Sequence, residues 1–513
     1  MLDRQNRKEL RRHYSITFIA LMLLAGCSKA RGAGGDPAAG ALPVTNVVKA
    51  VDEAQLAALT NQFAATQQAQ TELITRLLER LERLETKETN QAAAVVAQAA
   101  PPPRLTVGAN GFGFASADTN FAIKLRGLVQ LDSRVFVADN ELSEGNDSFV
   151  LRRARPIIEG TVFRDFDFQF VPDFAGSQVQ IFDAWLNYRP WPELQFKAGK
   201  FKGPVGLEQL QSDATLPFNE RGLVTDLVPT RSVGVQLWGD ALDGVVSYAA
   251  GAFNVTGDGR NPGNVDFGDH KEFAGRLFLQ PFKKTGIAGL RGLGFGAGGS
   301  YSQVNSNANG LPATTGGTRP GYVTAGQQQF FAYNPGNGTV AADGPQWRLS
   351  PQLSYLYGPF GLLGEYGISH QSVVNSFTAG TAELDHTAWQ LSAQWVLTGE
   401  PASFTGITPQ RAFRLGSGWG AWQLVGRFGQ LNLDDQTFPN FANPATSARS
   451  ATSWSVGLNW WLNKNVRLMT SFSHTTFDGG GAFNPLDPST LVPPATVTAQ
   501  DEKVFFTRLQ LAF

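Results

Sequence analysis

The chain has 513 residues, of which 42 are basic and 43 acidic, so the net charge is −1; 11% are aromatic, 17% charged, 56 are glycine and 37 phenylalanine. So even a balance creates no global field for polyanions, which argues against nucleic acid as a partner and leaves any ion preference to local placement. Mean hydropathy is −0.16, and no apolar run approaches the roughly 18 residues a spanning helix needs, so a membrane protein of this composition is a barrel.

In chain order, Arg4, Arg7, Lys8, Arg11 and Arg12 precede an apolar stretch over 16–25 that is too short to cross a bilayer. This reads as a secretory signal over 1–26. The stretch ends Leu24-Ala25-Gly26-Cys27, which resembles the lipobox of bacterial lipoproteins, and Cys27 is the expected lipidation site. Ordinary cleavage between 30 and 33, with Cys27 discarded, is the alternative. A single cysteine excludes an internal disulfide.

Residues 27–51 are small, polar and proline-containing, a linker. Over 52–92, Leu56, Leu59, Phe63, Thr66, Leu73, Leu77 and Leu84 fall at heptad a and d spacing, and Glu79 with Arg83 adds an i,i+4 pair. The seam is thin, and such a helix is marginal alone, so self-association into a short coiled coil in the periplasm is expected. A second linker, 93–118, contains Pro101, Pro102 and Pro103, which end the helix and stiffen the spacer.

From residue 119 to the end the period is two, the pattern of strands that turn one face to hydrocarbon and the other to water. Phe121, Ile123, Leu125, Val129 and Leu131 alternate with Lys124, Arg126, Gln130 and Asp132; Trp389, Leu391, Ala393 and Trp395 alternate with Gln390, Ser392 and Gln394. Phenylalanine and tryptophan dominate the apolar face where a soluble sandwich would use valine, isoleucine and leucine. About sixteen strands are expected, an all-β transmembrane antiparallel barrel, the last reaching Phe513, the terminal aromatic read as its assembly signal and expected to pair beside the first. Short turns alternate with long loops at 203–230, 255–270, 304–344, 433–450 and 478–502. The long connection 398–419 falls where a short one is due.

In a water-filled barrel the selective residues are charges on the lumen wall and on any loop that folds inward. Lys124, Arg126, Arg134, Arg153, Arg155, Lys197, Arg221, Arg231, Arg427 and Arg508 are the candidate anion path, with Arg276 and Arg348 as further lumen positives. Arg152, adjacent to Arg153, is expected near a rim, because an arginine facing mid-bilayer hydrocarbon costs about 2–4 kcal/mol. Asp132, Glu159, Asp167, Asp173, Asp183 and Glu365 oppose them, the pattern of a solvated, charge-paired lumen. His270, His370, His386 and His474 lie in no nucleophile or metal-ligand spacing, so neither an enzyme, a metal site nor a cofactor is expected.

Several blocks together resemble the phosphate-selective porin O and P family: Phe149-Val150-Leu151-Arg152-Arg153-Ala154-Arg155, Phe182-Asp183-Ala184-Trp185, Gly199-Lys200-Phe201-Lys202, Gly206-Leu207-Glu208, Asn219-Glu220-Arg221, Ala252-Phe253-Asn254, Leu397-Thr398-Gly399-Glu400-Pro401 and Gly457-Leu458-Asn459-Trp460. They fall in family order across 121–513. The resemblance implies a homotrimer of sixteen-stranded outer-membrane porins, inserted among outer-membrane lipid by the barrel assembly machinery. It also implies an inward loop, here 203–230, and passage of small anions such as phosphate. One departure bears on the solute. Phosphate-selective members carry a constriction lysine between the Gly-Leu-Glu and Glu-Arg blocks, where this chain has Gln209, Leu210, Gln211, Ser212, Asp213, Ala214 and Thr215. Small anions or small polar solutes are therefore the expected cargo. An envelope tether built from lipid anchor, helix and barrel is the competing reading.

Overall fold

The computed structural model describes residues 53–98, 102–137, 146–176, 178–259, 269–304, 321–333, 340–480 and 499–513. The signal, Cys27 and the first linker lie outside them. Contacts divide the chain into two units, 1–99 and 100–513.

The first unit contains one long helix, α1 (Glu53–Gln98), six residues longer than expected at its C-terminal end and stopping short of the three prolines. Phe63, Leu73, Leu77 and Leu84 of the heptad seam are 52–68% exposed along it. The hydroxyls of Thr66, Thr71 and Thr75 donate to carbonyls four residues back, so these threonines carry their own partners. No described helix is long and apolar enough to cross a membrane.

The second unit is built of β1 (Arg104–Gly108), β2 (Gly111–Ala115), β3 (Ala122–Phe136), β4 (Ser148–Val162), β5 (Phe166–Asp173), β6 (Gln180–Trp191) and β7 (Leu194–Lys202). It continues through β8 (Arg231–Ala241), β9 (Val246–Asn254), β10 (Lys271–Leu279), β11 (Leu293–Val304), the small β12 (Tyr322–Val323) and β13 (Gln329–Phe331), and β14 (Val340–Tyr357). The last are β15 (Phe360–Asn375), β16 (Thr381–Val396), β17 (Ala421–Asn432), β18 (Ala448–Trp461), β19 (Val466–Gly479) and β20 (Glu502–Ala512). Strands β3 to β11 and β14 to β20 pair antiparallel with their neighbours, and β20 closes on β3 from Val504 opposite Phe136 to Ala512 opposite Leu128. This is a closed barrel of sixteen strands. Phe513 exchanges backbone hydrogen bonds with Gly127 and lays its ring where a Cβ on that glycine would sit.

Alternation places Leu125, Val129, Leu131, Phe505 and Leu509 outside at 42–51% exposure, while Gln130, Asp132, Arg508 and Gln510 on the same two strands are buried inside. At the short-turn end, stacked and edge-on pairs Phe121 with Phe163, Phe166 with Tyr188, Phe360 with Trp395 and Trp422 with Trp460 form a girdle, as at a lipid–water boundary. The β4–β5 turn is tight enough to put Phe163 and Arg164 at φ 51° and 63°, the left-handed geometry that suits the twist of a hairpin.

Two expectations are corrected. The segment 93–118 is not all linker: β1 and β2 form a hairpin, and β2 pairs with residues 122–125 of β3. Strand β3 runs past the last residue of β20, and β2 covers the backbone edge this leaves open, as edge groups require. Arg152 is not at a rim but points inward toward Glu220. Gln130 pairs with Arg153 and the next residue, Leu131, with Leu151, so Arg152 is the extra residue of a β-bulge. The bulge resets the side-chain phase and turns two consecutive arginines to one face.

Candidate functional site: the lumen and its inward loop

The segment 203–230 leaves β7, folds inside the barrel and returns to β8, carrying the short helix α2 (Leu207–Leu210) and a 3-10 turn over Leu223–Leu227. Val205, Leu216, Phe218, Val224, Leu227 and Val228 are at most 2% exposed, so the loop is packed rather than draped. Glycine permits close approach where the loop meets the wall: a Cβ on Gly222 would strike Gln390, and one on Gly298 of β11 would strike the carbonyls of Pro204 and Val205.

Polar anchors fix the loop around the wall. Glu365 of β15 accepts from the backbone N–H groups of Leu207 and Glu208 at 2.7 and 3.1 Å, capping α2 with a carboxylate. Asn459 donates to Pro217 O, Arg467 to Leu216 O and Arg508 to Asn219 O. Three loop carboxylates complete the attachment. Glu208 pairs with Arg427 at 3.2 Å. Asp213 pairs with Arg155, with Arg221 at 2.5 Å and with Arg153 at 3.5 Å. Glu220 meets Arg152 at 2.6 Å, Arg508 at 3.1 Å, Arg153 at 3.7 Å and Arg134 at 3.9 Å. Burial pushes the Asp213 carboxyl up, but Arg153, Arg221 and Arg155 outweigh it and hold it well below the usual carboxylate range. For Glu220 burial is likewise overcome, here by Arg152, Arg153 and Arg508.

The candidate cations therefore divide by partner. Arg134, Arg153, Arg155, Arg221, Arg427 and Arg508 are tied to loop carboxylates, and Arg508 is also bidentate to Asp132 at 2.6 and 2.7 Å. Lys124 and Arg126 share Glu159 near the short-turn end, and Arg231 pairs with Asp183 at 3.2 Å. Arg348 is enclosed between Asp258 and Glu272. Among the described residues, Lys197 and Arg276 form no ion pair: Lys197 lies over aromatic rings, and Arg276 donates to Gln352. Both line a cavity of about 610 Å³ between the loop and the β3–β10 wall, together with Arg126, Arg155, Lys202 and Arg231 and the carboxylates Asp183, Asp213 and Asp240.

Three residues were not among the candidates. Arg467 is wholly buried over the Trp461 ring at 4.6 Å, and its place in phase with Ser471 and Ser473 was the available signal. Arg152 is hidden by its bulge. Lys202, at the end of β7, brings its ammonium to the carbonyl of Gln211 at 2.6 Å, inside the stretch of loop that carries no lysine of its own.

The long connection after β16, at the short-turn end, acquires a role. Its buried Ala402 and Ile407 cluster with Val396, Ala421 and Trp461, and Thr215 of the inward loop donates to Phe404 O at 2.9 Å. It thus supports the loop from below. On the outer side, Tyr322, Phe330 and Phe331 pack on Leu223, Val224 and Leu227 of the loop and on Leu431 and Leu433. The β14–β18 side of the lumen is filled, and the open volume lies against β3–β10.

Residues 122–492 match the family described as phosphate-selective porin O and P. The chain belongs to that family. It is a porin, a channel of the outer membrane. No curated protein matches the chain. Similar solved structures include the outer membrane channel DcaP of Acinetobacter baumannii, 11% identical with a TM-score of 0.48 over 78% of this chain and 99% of that one. An anion-selective porin from Comamonas acidovorans is 11% identical with a TM-score of 0.45, covering 77% of this chain and 100% of that one. OmpT of Vibrio cholerae, in trimer form, is 11% identical with a TM-score of 0.46, covering 77% of this chain and 99% of that one. Among the described residues no cluster of three metal-ligating side chains occurs.

Proposed function

We propose that this porin is a passive diffusion channel for small anions, with the loop 203–230 as its constriction and the cavity along β3–β10 as its path. One observation carries the reading: Glu208, Asp213 and Glu220 of the loop are engaged by arginines, while Lys197 and Arg276 face the cavity outside any ion pair among the described residues. A narrow lumen in which cations outnumber carboxylates raises the local concentration of anions. Lys202 and Arg231 line the same space and belong to the path; Lys124 and Arg126 stand toward its periplasmic end. Phosphate is not singled out, because Gln209–Thr215 offers no lysine to a divalent oxyanion. The test is the reversal potential of single channels in a potassium chloride gradient.

The assembly we infer is a homotrimer in the outer membrane, held by the heptad seam of α1 in the periplasm, with Cys27 lipidated and insertion by the barrel assembly machinery. The exposed leucines of that helix support self-association. They equally motivate the tether reading. Deletion of 34–104 separates the two: a pore still conducts, whereas loss of envelope attachment with conductance intact assigns the segment to tethering.

A further inference from the structure

The open path is more aromatic than passage of inorganic ions requires. From its outer end, Arg155 and Arg231 lie 3.8 and 4.6 Å from the ring of Phe182. Below them, Lys197 Nζ lies 4.6 Å from the ring of Trp185 and 4.9 Å from that of Trp238. Trp185 and Trp238 stand on the polar phase of their strands, in register with Gln169 and Gln195. Trp238 is also fixed by its polar end: it donates its indole N–H to Asn187 Oδ1 at 2.8 Å. Its ring is thereby held in one orientation beside Lys197.

Electron-rich ring faces offer nothing to a compact hydrated anion; they reward a solute with a flat apolar body that stacks offset on them. The neighbouring cations reward its charge. We propose that this wall is a binding ladder for planar organic anions, a carboxylate carried on an aromatic ring, with the carboxylate passed between Arg231, Lys197 and Arg276 while the ring stacks on Trp185 and Trp238. The cavity of about 610 Å³ lies within the ~300–1,000 Å³ common for small-molecule sites. The inference rests on the reading that anions use this cavity.

The experiment measures block of single-channel chloride current by benzoate and by acetate, using the full chain. Benzoate is expected to half-block at a concentration at least about tenfold lower than acetate, a ratio that corresponds to ~1.4 kcal/mol. Trp185→Leu and Trp238→Leu should collapse that ratio toward one, and Trp185→Phe should restore part of it. Equal block by the two acids in a channel that still prefers anions overturns the ladder alone. Loss of anion preference overturns the path reading and the ladder with it.

Discussion

Asp213 stands where three guanidinium groups converge, those of Arg153, Arg155 and Arg221. Removing one member of a buried ion pair leaves uncompensated charge and costs about 3–5 kcal/mol, so Asp213→Asn should free the loop 203–230 from the β4 wall. The expected reading in planar bilayers is a larger, noisier conductance, and an unchanged trace would contradict the assignment. The same carboxylate sets an acid limit. Its folded value is depressed, so its contribution is complete above the ordinary aspartate value of about 4 and is lost as pH falls through the lowered one. The difference in conductance between the unaltered channel and Asp213→Asn should therefore hold steady between about pH 5 and 7 and vanish only in stronger acid; loss of that difference near pH 6 would contradict it. At this scale alternation found Arg508, Gln510 and Arg153 facing inward, because each sits on a regular run of its strand. It misplaced Arg152, because a bulge is a backbone event that no side-chain pattern announces.

The loop and the connection beneath it form one supporting element. Thr215 to Phe404 is a direct hydrogen bond, and Gly406, at φ 104°, brings the connection close to Thr215 and Trp461. Replacing 399–419 by a tight turn should widen the periplasmic mouth and raise single-channel conductance, with the barrel still closed. Conductance equal to that of the intact chain would show that the connection does not narrow the path. All sixteen spanning strands were legible, since each is at least eight residues long and carries a run of period two. The hairpin β1–β2 was not, because two five-residue strands rich in glycine give too few alternations to separate from a linker. The connection 398–419 was visible only as an irregularity in the turn lengths. Its packing against Trp461 and the loop is tertiary and leaves no periodic trace.

For the whole molecule, closure between β20 and β3 removes every unpaired edge from the bilayer, and the inward loop with the outer segment 322–333 fills one side of the lumen. What remains open is a path beside β3–β10 where cations outnumber carboxylates and where Lys197 and Arg276 lie outside the ion-pair network. Composition could not show this: forty-two basic and forty-three acidic residues read as balance, and the asymmetry arises only when the loop turns its acids to the wall. The central claim is that this asymmetry selects anions. A single-channel reversal potential in a potassium chloride gradient tests it most directly. The sign expected is that of chloride preference, diminished by Lys197→Glu and by Arg276→Glu; a potassium preference in the unaltered channel would contradict the account.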